Sequence, residues 1–285
     1  MPGVRGFSTL RARSYIFRLP LFTRAIILII IIFWAVSLPS IWDIKGWGAL
    51  VPDKVSFTTA YRLSTFPLVH LNLIHAALNV VALTPLMERF ENEYGTLPTL
   101  SLFFGPLTTL PAILYLVIER GLFRSNNTVV GASVWVFLLL GMEAIRTYRS
   151  NPHLVIATYH IPTWTTPLLM IIVVAALIPN TSLLGHLCGA TVGYICEESA
   201  PPLVHSTQGS HLPVSTGGLG CLRFLAPPEW ALRWVETHLN LLAILPHYVS
   251  IDQKTYGRFG VLPSSNRTGG SAATELVGGS QRLGP

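Results

Sequence analysis

Residues 25–36 read AIILIIIIFWAV, with no charge and no turn former in the run. A helix that crosses the hydrocarbon of a bilayer needs about 20 mostly apolar residues. Extended to Ala25–Ile41 this stretch is the surest of six such segments. Working outward, the others are Phe66–Met87, Leu97–Ile118, Val129–Ile145, Val155–Ile178 and Leu183–Cys196. The whole chain agrees: of 285 residues, 51% are hydrophobic and only 11% charged, and the mean hydropathy is +0.53. A soluble domain carries roughly 25% charged residues to cover its surface. The sequence therefore predicts an all-α polytopic membrane protein with six transmembrane helices.

Charge placement sets the expected orientation. Arg5, Arg11, Arg13, Arg18 and Arg24 precede the first segment, and no acidic residue comes before Asp43. Cytoplasmic flanks carry the Lys/Arg excess, so both termini are expected in the cytosol, with about 14 basic residues inside and about 5 outside. Such clusters, with a net charge of only +6, argue membrane orientation rather than nucleic-acid binding. The first segment reads as an uncleaved signal-anchor. The Arg-rich, acid-free residues before it also fit a mitochondrial presequence, which would place the protein in the mitochondrial inner membrane. Three cysteines offer no disulfide framework, and no cofactor or metal site is expected.

Segments two, four and six are less apolar, and polar groups in lipid usually face a bundle interior. Segment four begins Gly131-Ala132-Ser133-Val134. Segment six contains His186 beside Gly185, Gly189 and Gly193, whose spacing of four makes a smooth ridge for close helix packing. Segment two carries His75 and Asn79 on one helix face. Each also fits a bland role: a serine bonded back to its own helix, a structural histidine, a pair joining two helices.

Depth unites them. Ser133 and His186 are expected roughly 5–10 Å below the lumenal surface, and His75 and Asn79 about 10–20 Å below it. From Ser133 to Ile145 a helix spans only about 20 Å, so the chain before Ser133 must enter the membrane without helix, lining a wet cavity. In that setting His186 can take the proton of the Ser133 hydroxyl and make it a nucleophile. No carboxylate is placed to orient the histidine. His75, Asn79 and the Ser133 amide are candidate donors to an oxyanion. At the opposite end, Glu88, Glu91 and Glu93 read as a solvated turn, and Glu143 as a partner of Arg146 or of headgroups.

Over residues 20–198 these motifs, in this order, resemble the rhomboid intramembrane serine proteases. The family's His-x-x-x-Asn is matched by His75 and Asn79, with His70 before them. Its Gly-x-Ser-Gly is matched by Gly131-Ala132-Ser133-Val134, and its Ala-His-x-x-Gly-x-x-x-Gly by Gly185 to Gly193. Tyr61-Arg62 stands for a Trp-Arg pair in the first loop. The resemblance implies the six-helix rhomboid fold with Ser133 as nucleophile, His186 as general base, and His75, Asn79 and Gly131 around the oxyanion. It implies cleavage of single-span membrane proteins near the lumenal face. Val134 replaces a glycine and is expected to narrow the pocket; Gly185 and Tyr61 are milder departures. The alternative is an inactive relative that binds membrane clients and delivers them to a AAA segregase. A small transporter is disfavoured because the six segments show no internal repeat.

Three regions are expected: a cytosolic N-terminal segment over 1–20, the helical domain over 21–198, and a mostly disordered cytosolic tail over 199–285, rich in Pro, Gly, Ser and Thr. Within the tail, 228–245 predicts an amphipathic helix that either lies in the membrane interface or packs on the cytosolic loops. Residues 246–258, PHYVSIDQKTYGR, resemble the tail of fungal Golgi rhomboids, which implies a Golgi membrane. Residues 276–284 resemble a binding box for the AAA segregase, with Leu276 and Ser280 in place of its Phe and second Gly. In this family such a tail implies substrates that include precursors of sterol-responsive transcription factors.

Overall fold

A computed structural model of the chain describes residues 15–38, 42–156, 158–178, 181–198 and 221–252. The expected segregase box lies outside them. Helix α1 (Leu21–Val36) starts after Pro20 and ends at Ser37, whose hydroxyl donates to Trp34 O. Two short helices, α2 (Ile44–Gly48) and α3 (Arg62–Thr65), shape the loop that follows. Then come α4 (Leu73–Tyr94), α5 (Thr96–Phe104), α6 (Pro106–Leu116) and α7 (Ser133–Ser150). The hairpin of β1 (His153–Ile156) and β2 (Tyr159–Pro162), paired His153 to Pro162 through Ile156 to Tyr159, leads into α8 (Thr166–Leu177) and α9 (Leu183–Glu198).

The apolar helices differ in length. Taken together, Thr96–Leu122 is long and apolar enough to cross a membrane, interrupted at Gly105 between α5 and α6 and closed by a π-helical turn at Val117–Leu122. Phe57–Leu68 and Leu73–Tyr94 pass that test only together, with a 79° bend between them; Leu21–Val36 and Thr163–Leu177 are apolar but shorter. Helix α7 is the central post. Val134 to Leu139 are all buried, and the Trp135 indole donates to Thr108 Oγ1 at 2.8 Å. Helix α9 lies along it. A side chain at Gly189 would bring its Cβ within 2.5 Å of the Val134 carbonyl, and one at Gly141 within 2.7 Å of the Ala190 carbonyl. Gly193 likewise faces Leu138, whereas Gly185 faces Val129 and Ser182 in the loops before the two helices.

Two predicted boundaries move. Segment two begins at Leu73, not Phe66: Pro67 opens a 3-10 turn, and Asn72 caps the helix by accepting from His75 N at 2.8 Å. Hydropathy is blind to this because 66–69 is apolar in either conformation. His75 therefore sits in the first turn of its helix, not several turns down. Segment five loses its first third to the hairpin, where β-branched and aromatic residues favour strand.

The acidic turn is corrected as well. Glu91 is 0% exposed, and its carboxylate accepts from Phe22 N, Thr23 N, Thr23 Oγ1 and Thr96 Oγ1 at 2.7–2.8 Å, which caps the start of α1. Glu93 is held by Arg146 at 2.6 Å, and Glu88 accepts from the Tyr15 hydroxyl at 2.5 Å. Arg146 also reaches Glu197 at 3.0 Å and Tyr94 OH at 2.6 Å, so Glu143 pairs instead with Arg89 at 2.7 Å. All of these groups lie at the α1-start end of the bundle.

Beyond α9, residues 221–252 pack on that same end. Leu222 of α10 (Leu222–Leu225) enters the main core. Helix α11 (Glu229–His238) and the turn α12 (Leu241–Ile244) follow. A strap then closes on the bundle: Leu21 N donates to His247 O at 2.9 Å, Thr96 N to Val249 O at 2.8 Å, and Val249 N to Thr96 Oγ1 at 2.9 Å. Glu236 ties strap to helix by accepting from Tyr248 OH, Ser250 Oγ and Ile251 N.

Candidate active site

Ser133 is the first residue of α7, so its N–H stands outside the intrahelical ladder. The chain before it is not helical from Arg124 to Ala132; Leu50 and Val129 exchange two backbone hydrogen bonds of 3.0 Å there. Gly131 turns the chain with φ +108°, a region that favours glycine. Its N–H is taken by Phe66 O at 3.0 Å, and a Cβ there would strike the His75 ring at 2.7 Å. Gly131 thus supports the site by giving His75 room, not by donating.

The pairing that the sequence singled out is present. His186 Nε2 lies 2.9 Å from Ser133 Oγ. The histidine is 3% exposed, its ring packs on Phe137 at 4.5 Å between centroids, and its Nδ1 has no hydrogen-bond partner among the described residues. The arrangement is therefore two-membered. For Nε2 to accept the serine proton, Nδ1 must carry the ring hydrogen.

Both side chains open on a cavity of ≈ 230 Å³, which His75, Val129, Val134 and Ser182 also line. Asn79 is buried behind it, donating from Nδ2 to His75 O at 3.0 Å and thereby bracing the first turn of α4. Val134 lines the cavity but also fills the space that Gly189 leaves, its Cγ2 lying 3.3 Å from where a Cβ on Gly189 would stand. The valine that departs from the family pattern is accommodated by the glycine opposite. Among the described residues no three His, Cys, Asp or Glu side chains form a metal-binding group.

His70 is a supporting residue whose role the sequence did not reveal. It is fully buried; its Nε2 accepts from Ala132 N and its Nδ1 lies near Leu68 O, both at 3.2 Å, so it pins the turn before Ser133. The available signal was a histidine inside an apolar run, which needs a partner. In the first loop Arg62 donates to Ala49 O and Gly46 O at 2.7 Å, while Tyr61 stacks on Trp47.

Comparison with known proteins identifies the family. Residues 58–197 match the Rhomboid domain model. "Rhomboid-type serine protease 2" of Gibberella zeae is 62% identical over 286 residues, covering 100% of this chain and 99% of the relative. The chain belongs to the rhomboid family. The protein of the same name from Podospora anserina is 55% identical, at 100% and 99% coverage. "Rhomboid-type serine protease B" of Aspergillus fumigatus is 49% identical, at 98% and 96%. As a rhomboid, the protein is a membrane-embedded helical bundle, and the short helices α1 and α8 are parts of that bundle.

Proposed function

We propose that this rhomboid hydrolyses peptide bonds of membrane proteins with Ser133 as nucleophile and His186 as general base. Membership of a family of serine proteases, with full-length relatives so named, makes it a serine hydrolase. The observation that carries the residue assignment is the 2.9 Å Ser133–His186 contact at the mouth of the cavity. In the reaction His186 Nε2 removes the hydroxyl proton as Oγ attacks the scissile carbonyl carbon. The carbonyl π pair moves to oxygen, and the Ser133 N–H and the His75 ring supply donors for that charge. Collapse expels the amine, which takes the proton from His186. Water then repeats the sequence on the ester and frees Ser133.

The finer reading is cleavage near the lumenal face of single-span proteins in a Golgi membrane, with both termini cytosolic. Sterol-responsive transcription factor precursors would be among the substrates, and a AAA segregase would be recruited by the tail box. Motif order, the polar residues clustered at one end, and the resemblance of the tail support it. Labelling of the purified full chain with a fluorescent fluorophosphonate is the test. Wild type labels, and Ser133→Ala and His186→Ala do not. A folded wild type that never labels overturns the assignment and favours client delivery.

A further inference from the structure

Segment 221–252 is built inside out. Its acidic Glu236 and hydroxylic Ser250 are buried, together with Leu232, Tyr248 and Ile251, whereas its largest apolar side chains face outward. Trp230 is 75% exposed and Trp234 58%; Phe224, Leu239, Leu242 and Ile244 are exposed too. An apolar patch of this kind marks an interaction surface, since isolated apolar residues are ordinary but a contiguous group is not. Both ends of the segment are fixed, Leu222 in the main core and the strap by its hydrogen bonds to Leu21 and Thr96. The outward face therefore cannot turn inward.

We infer that this face of α11 and α12 lies in the headgroup–acyl boundary of the bilayer that holds the bundle. Three observations choose lipid over a protein partner. First, His247 bonds Leu21, the first residue of α1, so the segment sits where that helix begins. Second, the outward side of α1 carries exposed Leu28, Ile31 and Ile32, and Tyr15, Ile16 and Phe17 are exposed just before it, so the patch continues an existing lipid-facing surface. Third, two of its exposed members, Trp230 and Trp234, are one turn apart and of the residue type that collects at membrane interfaces. Arg233, beside them on the same helix, is engaged by Asp252 at 2.9 Å, and the Trp234 ring stacks on His238. The buried and the membrane-lying alternatives for this helix thus apply to opposite faces of it.

The test is lipid quenching of tryptophan fluorescence in the full chain reconstituted in phosphatidylcholine vesicles. Emission from wild type minus the Trp230→Phe/Trp234→Phe variant isolates the two residues. Each single variant gives the same reading if the double one fails to fold. An interfacial helix sits about 5–10 Å into the headgroup–acyl boundary. The difference signal is therefore lost most in lipids brominated near the headgroup and least in lipids brominated near the chain ends. A difference signal unaffected by either lipid overturns the proposal. So does one that is unquenched yet shifts to shorter wavelength as protein concentration rises, which would place a second copy on this face.

Discussion

The two ends of the bundle use polar groups in opposite ways. At the dyad itself the paired groups are neutral and short of partners: His186 has one ring nitrogen without a partner among the described residues and the other on a serine. At the α1-start end buried charged groups are held in networks of several partners. The Glu91 carboxylate accepts four hydrogen bonds, and Arg146 holds Glu93, Glu197 and Tyr94 together. A neutral imidazole can exchange a proton with its serine, whereas buried charges are retained by being paired and hydrogen-bonded.

The contrast breaks most sharply at His186. Replacing it with Ala is expected to slow cleavage and fluorophosphonate labelling by about 10²–10⁴-fold, with the thermal midpoint little changed. A large drop in that midpoint would move His186 into the structural class. Glu91→Ala reverses the pattern. It strands buried donors at about 1–3 kcal/mol for an unsatisfied group, so thermal unfolding shifts down, while protein that remains folded keeps its labelling rate. Glu91→Gln is milder, because one amide oxygen still accepts.

Gly189→Ala joins both classes. Its Cβ meets the Val134 carbonyl at 2.5 Å, and overpacking costs about 1–3 kcal/mol. Because the helices it separates carry Ser133 and His186, labelling falls as well; Gly121→Ala, with open space around it, is the silent control. The smallest effect belongs to Glu143→Gln. Its partner Arg89 is 42% exposed, and exposed pairs contribute about 0–1 kcal/mol, so denaturation of the variant tracks wild type within that margin.

The sequence was most legible where chemistry and position coincide. The apolar run of α1 and the non-helical approach to Ser133 follow from local composition and length, whereas the Ser133–His186 pairing was expected from the glycine ridge beside His186 and from the family resemblance. The start of α4 was not legible, because a cap from Asn72 decides it inside an apolar stretch. Nor were Glu91 and Glu236, since their burial depends on backbone donors contributed by distant segments: Phe22 and Thr23 for one, Ile251 for the other. Three glutamates in six residues look solvated until the partner chains are in place. Burial and the Glu236 carboxylate together raise the Tyr248 phenol, which keeps its proton and remains a donor to that carboxylate.

The strap has a consequence for biogenesis. Leu21, at the beginning of α1, obtains its backbone partner from His247, so that helix is completed by a segment synthesised more than 200 residues later. Contacts this far apart in sequence are slow to form, and the foot of α1 must wait for them with its first amide unpaired. An expression truncation placed after α9 would leave that wait permanent.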